Sequence, residues 1–294
     1  MSGQGLDFAV PAGACDSHVH VFPDAERYAF VPKRVYTPPE APADALDTYL
    51  STLGLERVVI VQPSIYGTDN TALLDTIATL GLHRARGVAV IDNMISDDAL
   101  IAMNRQGVRG IRVNLEMEGE GDPVRAKRRL RELADRIQGV GWHIQIFCQA
   151  GMLAAMADCL ADLPVPIVLD HLGGIAANKG LGQAGFDTVL ALLGTGNAYV
   201  KASGAYLCSN AAPDFADVAP FAKAAIAANP DRVLWGSNWP HPDGARVPGR
   251  DPFTVLPFLP IGNVATLNLL AIWADDPATR HKILVDNPAR LYGF

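Results

Sequence analysis

"RVVIVQ", residues 57–62, places four β-branched residues in succession, Val58 to Val61. A strand with one wet face alternates apolar and polar positions, and this one does not. An unbroken apolar run is the pattern of a parallel strand covered by helices on both faces. Seven other segments resemble it: "CDSHVHVF" (15–22), "ARGVAVI" (85–91), "VRGIRVN" (108–114), "WHIQIF" (142–147), "VPIVLDH" (165–171), "AYVKAS" (198–203) and "RVLWGSN" (232–238). They recur at intervals of roughly 25–35 residues, the length of one βα unit. Helical patterns fill the gaps. "DPVRAKRRLRELADRIQ" (122–138) opens with an Asp cap and an early Pro, and its Leu130, Leu133, Ala134 and Ile137 share one face. "AGMLAAMADCLADL" (150–163) and "APFAKAAIAAN" (219–229) have the same character. Arg125, Arg128, Arg129 and Arg131 read as a solvated helix face.

Eight such units predict an α/β fold, a (β/α)8 TIM barrel forming one domain over 1–294. No GxGxxG follows the first strand, which argues against a doubly wound dinucleotide fold. Residues 23–45, rich in Pro and aromatic residues, read as a long first loop over the barrel mouth, and 270–294 as closing helices.

Of the 294 residues, 49% are hydrophobic and 19% charged, enough for a large core and unlike a disordered chain. The net charge of -7 and the lack of a basic stripe speak against nucleic acid. Cys15, Cys148, Cys159 and Cys208 are scattered without a CxxC pair, which favours free thiols. With no leader pattern and no membrane-length apolar run, the expected location is the cytoplasm.

In a barrel the chemistry gathers at the carboxyl ends of the strands. His18 and His20 stand two apart, so both point inward, where buried imidazoles need a ligand or each other. His171 ends the sixth strand. Arg112, near the end of the fourth, needs an anion there, either an acidic side chain or a substrate carboxylate. Lys201 and Ser203 share a face of the seventh strand. Tyr206 could donate a hydrogen bond or simply pack. Ser64 and Thr68 could bind a substrate or cap the next helix. His241 lies in the eighth loop, near the site. His143 begins its strand, at the end remote from chemistry, and reads as structural, whereas His83 and His281 read as surface residues.

"DSHVHVF", "GIR", "DHLGG" and "WGSNWPHP", together with "VIVQPSIYGTDN" and the terminal "NPARLYGF", resemble the amidohydrolase superfamily over nearly the whole chain. Within it the likeness is to the branch of pyrone-dicarboxylate lactonases and galactarolactone isomerases. The resemblance implies an enzyme acting on a small-molecule lactone that carries a carboxylate. The superfamily's two-metal centre has a lysine or glutamate on the fourth strand and a histidine on the fifth. This chain has Arg112 and Asn114, then "IQIFCQ", so no metal or cofactor is expected; one zinc held by His18 and His20 is the alternative. The pyrone-dicarboxylate enzymes carry extra arginines that "NLEMEG", "DHLGGI" and "KASGAYL" lack, which favours a sugar-acid lactone bound by Arg112, Ser64, Thr68, Tyr206 and the histidines.

The implied chemistry places His18, His20 and His171 as donors to the lactone carbonyl, with the strand-eight residue as general base. An isomerase would convert D-galactaro-1,5-lactone to the 1,4-lactone, and a hydrolase would use water instead. Where the family carries aspartate this chain has Asn238, a neutral amide that cannot take a proton. It reads as the product of an engineered Asp-to-Asn change. A non-catalytic ligand-binding protein is the alternative from another class.

Overall fold

The computed structural model describes residues 5–245 and 247–294. Eight strands, β1 (Cys15–Val19), β2 (Arg57–Val61), β3 (Ala85–Ala89), β4 (Val108–Asn114), β5 (His143–Phe147), β6 (Ile167–Leu169), β7 (Ala198–Ser203) and β8 (Val233–Gly236), pair in parallel in chain order. Each coincides with one of the eight apolar runs. Helices such as Ala43–Leu53, Thr71–Leu80, Pro123–Ile137 and Ala150–Ala161 cover the outside, giving the expected TIM barrel.

The barrel closes just beyond β8. Asn238 donates its backbone N–H to the His18 carbonyl at 2.9 Å, and His20 donates to the Trp239 carbonyl at 2.8 Å. Asp16 buckles the seam from outside, accepting Tyr49 Oη at 2.7 Å and the Ser237 backbone N–H at 3.1 Å. The strand-one pattern also conceals a bulge. Asp16 pairs with Val58 but Val19 with Ile60, so three residues of β1 span two of β2. Without that extra residue, Cys15 and His18 would face opposite sides. With it, Cys15 joins the inner barrel core of Val59, Val61, Val88, Val168 and Leu234, while His18 still turns inward above it. Gly236 makes room, since a Cβ there would lie 2.6 Å from that of His18.

The Pro123–Ile137 helix is capped by Asp122 and buries Leu130, Leu133, Ala134 and Ile137, as its periodicity requires. The first loop ends at Pro42, slightly earlier than 45. It is pinned across the mouth by Phe22 pairing with Ala41 and by Thr37 Oγ1 donating to the Pro252 carbonyl at 2.6 Å. The closing helices begin at Asn263, not 270. The Asn263–Trp273 helix follows Gly262 without a side-chain cap, so its start carries no local signal. The last helix, Asn287–Tyr292, plugs the barrel floor, with Arg86 Nε donating to the Tyr292 carbonyl at 3.1 Å. All four cysteines are free and buried. Among the described residues no helix is long and apolar enough to cross a membrane.

Candidate active site

The polar residues at the mouth form two tiers. The lower one is built around Asp170, the residue after β6, which is buried. Its Oδ2 accepts from Arg112 Nε at 3.3 Å and Gln145 Nε2 at 3.1 Å. Its Oδ1 lies 3.2 Å from His18 Nδ1 and 3.9 Å from Lys201 Nζ. Lys201 also donates to Gln145 Oε1 at 2.6 Å. Burial alone would raise the Asp170 carboxyl, but His18, Arg112 and Lys201 outweigh it and hold it well below the usual carboxylate range. Burial lowers the Lys201 ammonium to about 8, against the pull of Asp170. One carboxylate thus faces two cations, and the tier keeps an excess positive charge.

The upper tier surrounds a cavity of about 50 Å³ walled by His20, Tyr36, Ser64, Arg112, His171 and Asn238, among others. His20 Nδ1 lies 2.7 Å from the Val61 carbonyl. Only a protonated nitrogen can bond there, so the neutral ring presents a bare Nε2 lone pair. Burial, then Arg112, lowers this imidazole to about 3. His171 packs its ring 4.9 Å from that of His18 and places Nδ1 2.9 Å from Ser203 Oγ. Burial lowers it to about 4.

Its backbone is strained. His171, Leu172, Gly173 and Gly174 all have positive φ, at 50°, 54°, 77° and 67°. Such geometry costs a non-glycine residue on the order of 1–3 kcal/mol and is typical of functional turns. Gly174 is obligatory, because a Cβ would come within 1.9 Å of the Cys148 carbonyl oxygen. The eighth loop repeats the device, with Asn238 at φ 63° and His241 at φ 66°. Asparagine and aspartate tolerate this region better than other side-chain-bearing residues, so the backbone suits either. Asn238 Nδ2 donates to Tyr206 Oη at 2.7 Å. Its Oδ1 is buried without a partner. His241 places Nε2 2.9 Å from Asn263 Oδ1, and its ring packs edge-on against Tyr206.

Several expectations need correction. Thr68 is exposed and walls none of the cavities, because the turn after the Ser64–Tyr66 segment carries it outward. Ser64 does reach the cavity, hydrogen-bonded to Tyr36. His18 sits one tier below the cavity wall. His20 cannot be a carbonyl donor while Val61 holds its proton. The anion that Arg112 requires is found within the chain, in Asp170. Sequence reasoning passed over Asp170, Gln145 and Tyr36. Asp170 did carry a signal, a lone charge ending an apolar strand. Tyr36 carried none, since its approach depends on how the first loop folds back.

A family model described as amidohydrolase matches residues 15–294. The chain belongs to the amidohydrolase family. It is 36% identical to a 2-pyrone-4,6-dicarboxylate hydrolase of Comamonas testosteroni, covering 97% of this chain and 92% of that one. Identity to a 4-sulfomuconolactone hydrolase of Rhizobium radiobacter is 34%, over 98% and 92%. Identity to a D-galactarolactone isomerase of Agrobacterium fabrum is 28%, over 99% and 95%.

For an amidohydrolase the question of a metal arises. His18, Asp170 and His171 offer ligand atoms all within 4.8 Å of one another, and His18 Nε2 is buried without a partner. The charges oppose a divalent ion. The only carboxylate of the three is already shared by Arg112 and Lys201, and the Lys201 ammonium lies 3.5 Å from His18 Nδ1. A dication would add to two cations around one anion. The charge balance at this donor set therefore weighs against a divalent metal.

Proposed function

We propose that this amidohydrolase opens a small lactone bearing one anionic group, by hydrolysis and without a metal. The observation that carries the reading is the pairing, across one small cavity, of the Arg112 guanidinium with the bare Nε2 of His20. Among the described residues Arg112 is the one cation on that wall, and its contacts to Asp170 use Nε and Nη2. Nη1 remains for a substrate carboxylate or sulfonate. Two relatives that are lactone hydrolases by name support the reaction class.

In this scheme His20 Nε2 accepts a proton from water as the oxygen attacks the lactone carbonyl. Asn238 Nδ2–H and a His171 Nε2–H face the developing oxyanion. The ring C–O bond then breaks, and the alkoxide takes the proton back from His20, leaving a hydroxy acid. A histidine held near 3 is a weak base; burial is the larger cause of that depression, and the Arg112 charge adds to it. A substrate anion on Arg112 cancels part of it and raises the imidazole when it is needed. The amide at 238 is thus a donor in this mechanism, and the proton acceptor is His20.

Isomerisation of a galactarolactone, by a substrate hydroxyl in place of water, is the second reading and is favoured by the isomerase relative. Incubating the protein in oxygen-18 water with 2-pyrone-4,6-dicarboxylate, 4-sulfomuconolactone and D-galactaro-1,5-lactone tests both. One label in the product carboxylate is expected. Ring change without label would establish the isomerase, and no turnover of any of the three, nor of a lactone with a single carboxylate such as 5-oxotetrahydrofuran-3-carboxylate, would sink the lactone reading. Metal analysis should find well under one equivalent of zinc; a full equivalent, lost together with activity on chelation, would overturn the metal-free reading.

A further inference from the structure

The cavity at His20 and Arg112, about 50 Å³, holds only a few heavy atoms. It lies beside a basin of about 760 Å³, and Met117, Phe147, His171 and Leu207 wall both. The basin is built by the loops after β4 to β8, so it lies at the catalytic end of the barrel. Its size is that of a site for a substantial organic ligand. Its inner surface is apolar, with Cys148, Ile175, Cys208 and Leu259 beside the shared Phe147 and Leu207.

The charged groups it contains are at the rim and occupied or exposed. Asp243 pairs with Arg250 at 3.1 Å, Glu116 accepts from Gln149 Nε2 at 3.1 Å, and Lys179 is exposed. Gln183, also on the wall, spends its amide on the backbone of Ala176 and Gly180. Burial pushes the Cys148 thiol up to about 12 and Cys208 likewise to about 12, so both stay neutral. Nothing in the basin's depth would repay the desolvation of a second charged group. A lactone small enough for the deep cavity alone would leave this apolar surface wet.

We infer that the basin is a specificity subsite, and that the substrate is a lactone whose one anionic group meets Arg112 while an uncharged apolar substituent, of the size of an aromatic ring, fills the basin. The inference rests on the lactone reading above and narrows it. It separates this chain's substrate from compact, doubly charged lactones, which would present a carboxylate to Leu207, Cys208 and Leu259.

The test compares two probes, 5-oxotetrahydrofuran-3-carboxylate and the same lactone carrying a phenyl group at C2. Turnover is followed by proton NMR and binding by calorimetry. The phenyl compound should show at least ten-fold higher kcat/KM, carried mainly by KM, and correspondingly tighter binding. Ala176→Trp and, independently, Leu259→Trp narrow the basin from two different loops, at residues that do not line the deep cavity. Each should erase the preference while turnover of the unsubstituted lactone stays within three-fold. Equal handling of both probes by the unaltered protein would overturn the inference and leave the lactone reading standing, as would equal loss on both probes in folded variants. If neither probe is opened but the phenyl compound binds and Ala176→Trp abolishes its binding, the basin stands as an apolar subsite and the lactone reading falls. If neither probe is opened or bound, both readings fall.

Discussion

His20 and His143 are both buried imidazoles pointing into the same barrel, and burial lowers both to about 3. They differ in position. His20, past the end of β1, has its proton fixed by the Val61 carbonyl and its other nitrogen turned to a cavity. His143, at the start of β5, packs edge-on against Tyr292 and fills the space beside Gly110, where a Cβ would lie 2.4 Å from its ring. None of the described cavities reaches it. A depressed histidine therefore marks a site only where substrate space meets an oriented lone pair. Depression by itself reports burial.

The strongest way to break the contrast is His20→Gln. The amide can still pair with the Val61 carbonyl but cannot take a proton, and kcat should fall by roughly 10²–10⁴-fold. Circular dichroism at neutral pH would show the fold retained. Retained activity would move the base elsewhere. Arg112→Lys comes next. It keeps the charge but loses the planar fork on Asp170 and the anion, and KM for an anionic lactone should rise about 10–100-fold. An unchanged KM would remove Arg112 from substrate binding.

Asn238→Asp should have a smaller and divided effect. A carboxylate there cannot donate to the developing oxyanion and repels an anionic substrate, so kcat should fall about ten-fold while KM rises. A rise in kcat would show that the proton acceptor belongs at 238 and not at His20. His143→Leu should leave kcat/KM within about three-fold, because the barrel floor serves stability rather than chemistry.

Acid titration joins the two histidines again. His18, His20, His143, His171 and His241 are all lowered by burial from 6.5. Below that value the unfolded chain binds protons that the native one refuses, so stability should fall as pH drops from about 6.5 toward 3. Removing either His20 or His143 should flatten that slope by about one proton, measured by urea unfolding across pH, although only the first affects catalysis. A slope unchanged by His143→Leu would mean that His143 is not held neutral.

The eight strands were legible because a parallel strand covered on both faces leaves a short apolar run, and these runs recur at the spacing of a βα unit. The strand-end His20, His171, Arg112 and Asn238 were legible for a related reason: a polar side chain interrupting such a run has few alternatives to a site. Even there, composition misled in detail. Arg112 declared its need for an anion but not that Asp170, 58 residues later, supplies one. Thr68 and Ser64 looked equivalent in one turn, and only the direction of the chain after Tyr66 separates them.

The sequence by itself determined the barrel, its family and which residues stand at its catalytic end, because those follow from local periodicity and from motifs read along one strand at a time. The tertiary structure decided which of those residues share a cavity, which nitrogen of His20 is bare, which charges surround Asp170 and how large a basin lies at the mouth. Each of these depends on contacts between loops far apart in the chain. The β1 bulge, the left-handed turn at His171 and the first loop folding back over the mouth set those contacts, and no short segment encodes where its distant neighbour will lie.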